Sequence, residues 1–352
     1  MEGIMAEFYS AEKHMNMIFD GCLKYLNDTL QKEKGIRLNV KFKMDIQEQR
    51  ISASVKKECE GEYLVKVSMA SYNIVEDYYS KMICLEGIYE MVTLKKVFDE
   101  EIAKKYLSIL IDMTLRTIIF HELGHVFNGH IDYIEAKIEE YKKLNTSENQ
   151  INYIAEYLEK SKKARPYLEP IDWQALEWNA DDFAITRLIG QYTYKDKIDG
   201  EILKSIDHAF FIIMFAVSSM YCLMDMNITK EKDGLEEYKL EEHLPKRFRL
   251  QKYIDSGVLA TEKFNNIKLF KNSEERCICD LIVKRFEEWY ILYTQNANGI
   301  LNQGVHASNR RIENNTDELD DMHIDYYHKV DEYYMEILPE ELKDFTYFIV
   351  YL

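Results

Sequence analysis

Between Asp207 and Asp225 lies AFFIIMFAVSSMYCLM, an apolar run of sixteen residues from Ala209 to Met224 without a single charge. A helix that is apolar all round must be surrounded by other apolar surface. The run is shorter than the ~20 residues that cross a bilayer, and its flanks are acidic where a membrane span favours Lys or Arg. It is read here as a buried core helix, not a membrane span, so the rest of the chain must supply the elements that enclose it. With 352 residues, 47% of them hydrophobic, the chain has the apolar material to do so.

The surface that remains is acidic. The 62 acidic side chains outnumber the 45 basic ones, and a net charge of −17 argues against nucleic acid or an anionic membrane as a partner. Cys22, Cys59, Cys84, Cys222, Cys277 and Cys279 are scattered and form no zinc-knuckle spacing, so they are read as reduced, mostly buried thiols of a cytoplasmic protein. The start MEGIMAEFYSAEKH has no basic region followed by an apolar run, and is not expected to be a signal peptide.

Hydrophobic periodicity divides the chain into three regions. In residues 1–95, IRLNVKFKM puts Leu38, Val40, Phe42 and Met44 on one face, and RISASVKK and EYLVKVSMA read as further strands. Together they predict a small antiparallel sheet, half exposed. Residues 96–260 read as a helical core, interrupted at 131–164 by a charged helical hairpin with Ile131, Ile134, Ile138 and Tyr141 on its first arm. Residues 261–352 read as a helical, acidic region whose acids form a solvated face, preceded by an Asn- and Gly-rich loop at 296–315. The class expected is α+β, mostly helical.

Chemistry concentrates in HELGHVFNGH, residues 121–130. Positions four apart on a helix differ by about 40° in direction, so His121 and His125 share a face one turn apart, and two imidazoles can meet one metal ion. Glu122 stands beside the first of them, where a carboxylate can take a proton from water at the metal. Thr114, Ile118, His121 and His125 form one stripe with apolar neighbours, so both rings are expected to face inward, and two histidines plus a glutamate on a buried stripe call for a common partner.

A catalytic zinc needs a third protein ligand and an open position. His130 is the nearest candidate, but lies about 140° around a continuous helix from His125. The better one comes from PIDWQALEWNADDFAITRLIG, read as a helix opened by Pro170 with a cap at Asp172 and closed by Gly190. Trp173, Leu176, Ala180, Ala184 and Leu188 mark its buried stripe. Glu177 and Asp181 lie along that stripe, where carboxylates are costly unless a cation meets them. Glu177 is then the third ligand, and Asp181 accepts the free ring N–H of a ligand histidine. Asp182 points elsewhere and is read as solvated, and the small Ala180 lets the two helices approach.

HExxH followed by a helix bearing Glu177-Trp-Asn-Ala-Asp181 resembles the gluzincin metallopeptidases, whose third zinc ligand is that glutamate. Among them the chain is most similar to the Lit-type phage-exclusion peptidases. That family also has a histidine matching His130 and a strand running into a helix like EYLVKVSMASYNIVEDYYS. The recurrence of His130 beside a glutamate ligand implies a structural or cleft-lining role for it. EHLPKRFRLQKYI is similar to a further pattern of related gluzincins, at His243, Pro245 and Arg249, which implies either His243 or a neighbouring tyrosine as an oxyanion donor, or a loop that packs beside the cleft. The resemblance covers residues 60–255 and implies a zincin-like core holding Zn2+.

It further implies a dormant intracellular endopeptidase in a phage-defence or toxin-like role, with a protein substrate such as translation elongation factor Tu and a trigger that sequence does not name. The 131–164 hairpin is not part of the family pattern; it reads as an amphipathic pair packed on the body or as a gate, which a cytosolic protease would need. Two other readings share the residues: a peptidase that clears a specific repressor, and a zinc-stabilised regulatory or interaction protein that no longer cuts. Retention of Glu122, which is no ligand, argues against the last.

Overall fold

A computed structural model describes residues 2–144, 167–193, 198, 200–225, 246–267, 269 and 318–348. The chain is α+β and mostly helical. It begins with the long helix α1 (Glu2–Lys34), followed by β1 (Asn39–Asp45), β2 (Ala53–Cys59) and β3 (Glu62–Ser68). The strand β3 runs directly into α2 (Met69–Met82), because the Ser68 hydroxyl accepts from Ser71 N and so supplies the cap that starts a helix.

The sheet is mixed, where alternation had predicted an antiparallel one. Its order is β1-β3-β2: β2 and β3 form an antiparallel hairpin around Gly61 (φ +70°), while β1 lies parallel to β3, Val40 opposite Tyr63 and Phe42 opposite Val65. Alternation reports which face a side chain occupies and is silent on strand direction. As the central strand, β3 buries Tyr63, Leu64, Val65 and Val67 with no alternation, whereas β1 alternates as expected, with Val40 and Met44 buried and Asn39, Lys41 and Lys43 exposed, and β2 alternates between half-buried and exposed positions.

After α3 (Glu86–Thr93), Asp99 opens α4 (Glu100–Phe127), its carboxylate accepting from Glu101 N and Ile102 N. This 28-residue helix is the axis of the molecule, in contact with α1, α2 and β2 and with two later helices, α6 (Pro170–Tyr192) and α7 (Ile206–Asp225). The apolar run of the sequence is α7, with Ala209, Ile212, Ile213 and Ala216 fully buried. Among the described residues no helix is long and apolar enough to cross a membrane.

Two ends of α6 differ from expectation. Asp172 is not its cap; Glu169 is, and Asp172 sits three residues on, completing a reciprocal capping box with Pro170 in the first turn. Gly190 does not close it, since the helix continues to Tyr192. The glycine instead admits α1: a Cβ there would lie 3.0 Å from the Tyr25 hydroxyl.

The remaining described elements are α5 (His130–Leu144), α8 (Lys246–Asn265), α9 (Glu318–Glu332), a π turn (Tyr333–Ile337) and α10 (Leu338–Leu342). Only the first arm of the expected hairpin, α5, is described; its second arm and the 296–315 loop lie outside the described residues. The acidic C-terminal region is more than a solvated face. Val330, Tyr334, Leu338 and Leu342 are buried against Leu176 and Trp178 of α6 and Tyr133 of α5, and Glu341 accepts from Tyr133 and Lys137.

Of the three cysteines whose side chains are described, Cys22 is buried and Cys59 and Cys84 are exposed, so burial holds for one of three. Burial pushes the Cys22 thiol up to about 12, which makes it inert at neutral pH.

Between α4 and α5 the chain turns at Gly129 (φ +75°), and the segment beyond α10 lies directly over that turn. Tyr347 N and Phe348 N both donate to Phe127 O, at 2.9 and 3.2 Å, pairing a carbonyl that the end of α4 would otherwise leave without a partner. A Cβ on Gly129 would lie 2.3 Å from the Phe345 carbonyl oxygen. Gly129→Ala is expected to lose at least about 2 kcal/mol, from the left-handed backbone (~1–2) and the clash (~1–3). Urea unfolding checks this; a change within about 0.5 kcal/mol would show that the C-terminal segment does not press on the turn.

Candidate metal centre

The site is built where α4 crosses α6. Gly124 is the contact that allows it: a Cβ there would lie 3.2 Å from Ala180 Cα and 3.3 Å from the Phe183 ring. With glycine on one helix and alanine on the other, the two backbones come close, and side chains beside the crossing meet.

What meets is two imidazoles from α4 and one carboxylate from α6. His121 Nε2 lies 3.2 Å from Glu177 Oε2, His125 Nε2 lies 3.4 Å from Glu177 Oε1, and the two Nε2 atoms are 3.3 Å apart. Each residue offers a ligand atom, all within 4.8 Å of one another, and the three could hold a metal ion. Their side chains are 15%, 12% and 12% exposed, so the point of convergence is largely screened from solvent. One cation there would satisfy all three, whereas protons would have to charge an imidazole to do so. The donor set therefore fits a divalent ion.

Asp181 sits one turn beyond Glu177, with its Oδ1 at 2.8 Å from His121 Nδ1. A carboxylate accepts, so Nδ1 carries the proton and Nε2 is left to bind. Asp181 is itself held from the other side: Arg249 of α8 donates from Nε to Oδ2 and from Nη2 to Oδ1, both at 2.6 Å, and Tyr253 donates to Oδ1 at 3.1 Å. The guanidinium lies over the Tyr221 ring at 5.1 Å and reaches to 4.0 Å from Glu177 Oε2.

These charges set the proton affinities. Burial would raise Asp181, but Arg249 and His121 outweigh it and bring the carboxyl down to about 2. Burial would lower His121, but Asp181 and Glu177 together bring the metal-free imidazole up to about 10. Metal-free at neutral pH, His121 is thus an imidazolium that stands in for the cation the two carboxylates demand.

His130 is fully buried and does not converge with the other three. Its Nδ1 is 2.9 Å from His125 Nδ1, on the far side of that ring from Glu177, and its Nε2 is 2.9 Å from Asn179 Oδ1. Burial and the neighbouring His125 hold it well below the usual histidine range, so the ring is neutral. Glu122 is buried beside His121. His243 lies outside the described residues.

Asp182, expected in solvent, is 3% exposed and accepts from the Tyr334 hydroxyl at 2.6 Å. It points away from the metal stripe as its helical phase requires, but the C-terminal segment covers that second face. Arg249 stood in a motif without a partner; only the fold puts it on Asp181. Asn179 sits between Glu177 and Asp181 in sequence, and its proximity was the one available signal. Nothing local announces Tyr334, 152 residues from its acceptor.

The chain matches no family model, and no curated protein or solved structure matches it either.

Metal binding should consume the His121 lone pair and so release its proton. A folded-state value of about 10 means the proton is present throughout neutral pH and lost only as pH rises through that value. Affinity should therefore climb with pH across the neutral range, with about one proton released per ion. Calorimetry of zinc binding in buffers of different ionisation enthalpy measures that number, and a value near zero would contradict it. Elemental analysis should find a bound metal ion in the wild type and a marked loss in Glu177→Ala; retention in the variant would return the third position to His130.

Proposed function

We propose that this protein is a zinc-dependent endopeptidase of the cytoplasm, with His121, His125 and Glu177 as ligands and Glu122 as general base. The observation that carries the reading is the convergence of two imidazoles and one carboxylate, drawn from two helices, within 4.8 Å. Two nitrogens and one oxygen suit zinc, and three protein ligands leave a position open, as catalytic rather than structural zinc requires. The ion would supply Lewis acidity, lowering the pKa of water toward ~7 and polarising a carbonyl.

The protein's own groups do the rest. Glu122 takes the proton that water gives up as it adds to the scissile carbonyl, then hands it to the amide nitrogen as the C–N bond breaks. No bond forms between protein and substrate. Asp181, held by Arg249 and Tyr253, keeps His121 in one orientation through the cycle. Burial of Glu122 (8% exposed) keeps bulk water from competing for its proton.

The motif resemblance to the Lit-type peptidases supports a defence role, with an intracellular protein as substrate and a translation factor as the first to try.

Glu122→Gln is isosteric and removes the base without removing a ligand. It should keep the wild-type zinc content and melting temperature and lose about 10²–10⁴-fold in cleavage. The measurement is labelling of newly formed protein N-termini in cells expressing each form. Equal cleavage by the variant, or no new termini from zinc-loaded wild type, would overturn the proposal.

A further inference from the structure

One nitrogen of His125 faces Glu177, and the other begins a line of buried polar groups that ends in the C-terminal segment. His125 Nδ1 is 2.9 Å from His130 Nδ1, and His130 Nε2 is 2.9 Å from Asn179 Oδ1. That same oxygen accepts from Asn128 Nδ2, the C-cap residue of α4. The amide of Asn179 in turn acts as a donor toward the Tyr334 hydroxyl, and Tyr334 donates to Asp182 Oδ2 at 2.6 Å. Every member is at least nine-tenths buried except His125, so water cannot substitute for a missing partner.

The order of protons along this line follows from its accepting end, the Asp182 carboxylate. Asp182 accepts, so the Tyr334 proton points to it and the phenolic oxygen is open to a donor. That donor is the Asn179 N–H, which turns its carbonyl toward His130. The carbonyl can only accept, so His130 carries its proton on Nε2 and leaves Nδ1 bare. A 2.9 Å contact between two Nδ1 atoms needs one proton, and it must then come from His125. His125 is thereby left with a bare Nε2, the atom that faces Glu177. Reversing the amide reverses every proton and puts a hydrogen on that Nε2, where a metal ion could not bind.

We propose that Asp182, Tyr334, Asn179 and His130 form a proton-ordered chain that selects the metal-binding tautomer of His125, with Tyr334 and Asn179 as positioning residues. This rests on the metal-centre reading above, but its first test does not need the metal. In metal-free protein with ¹⁵N-labelled histidine, the nitrogen shifts of His130 should report a protonated Nε2 and a bare Nδ1. A proton on His130 Nδ1, in either the other tautomer or the imidazolium, would overturn the chain, whether or not the protein binds zinc.

The second test is Tyr334→Phe, which keeps the ring packed against Trp178 and removes the hydroxyl that orients the Asn179 amide. Zinc affinity, read by competition with a chromophoric chelator, should fall roughly 10- to 100-fold, with His130 losing its single tautomer. Unchanged affinity would remove Tyr334 from the chain. If the variant fails to fold, the wild-type nitrogen shifts still decide the matter.

Discussion

The close approach of α4 and α6 at Gly124 and Ala180 is the contact on which the site depends. Gly124 and Ala180 carry little side-chain volume, so the two backbones lie close there, and His121, His125 and Glu177 bring their ligand atoms within 4.8 Å of one another. The arrangement has a cost in helix propensity, since glycine inside a helix is ~1 kcal/mol worse than alanine. That cost is offset by packing around α4, which is enclosed by α1, α2, α7 and the sheet as well as by α6.

Enclosure creates a second requirement. Ionisable groups buried at the crossing would be prohibitive singly. They occur as one connected system: Arg249 balances Asp181, Asp181 and Glu177 bring His121 to its charged form, and Tyr253 takes one of the remaining lone pairs. The neutral half, around His130, Asn179 and Asn128, balances dipoles instead of charges. His125 belongs to both halves, and a change in either is felt at its ring.

Much of this was legible in the chain because helical phase is a local property. His121, His125, Glu177 and Asp181 could be placed on inward stripes from spacing alone, and β1 to β3 could be recognised from alternation. What escaped had distant causes. Asp182 is correctly out of phase with Glu177, yet buried, because residues after 318 cover the face it occupies. The parallel pairing of β1 with β3 depends on how the chain between β1 and β2 is routed, which a two-residue period does not encode. Cys59 and Cys84 are exposed because composition gives an average tendency to burial and no position.

The distance in sequence between Asp182 and Tyr334 also has a meaning in time. A ribosome adding about 5–20 residues per second reaches Tyr334 some 8–30 s after Asp182, across the 152 residues between them. During that interval α4 and α6 can pair and their histidines can meet Glu177, but the line of hydrogen bonds that orders His125 has no terminus. The C-terminal segment also brings the N–H groups of Tyr347 and Phe348 that close the end of α4. A nascent chain is therefore without the partners that complete its site until this segment has emerged, and synthesis itself sets the earliest moment at which the finished centre can exist.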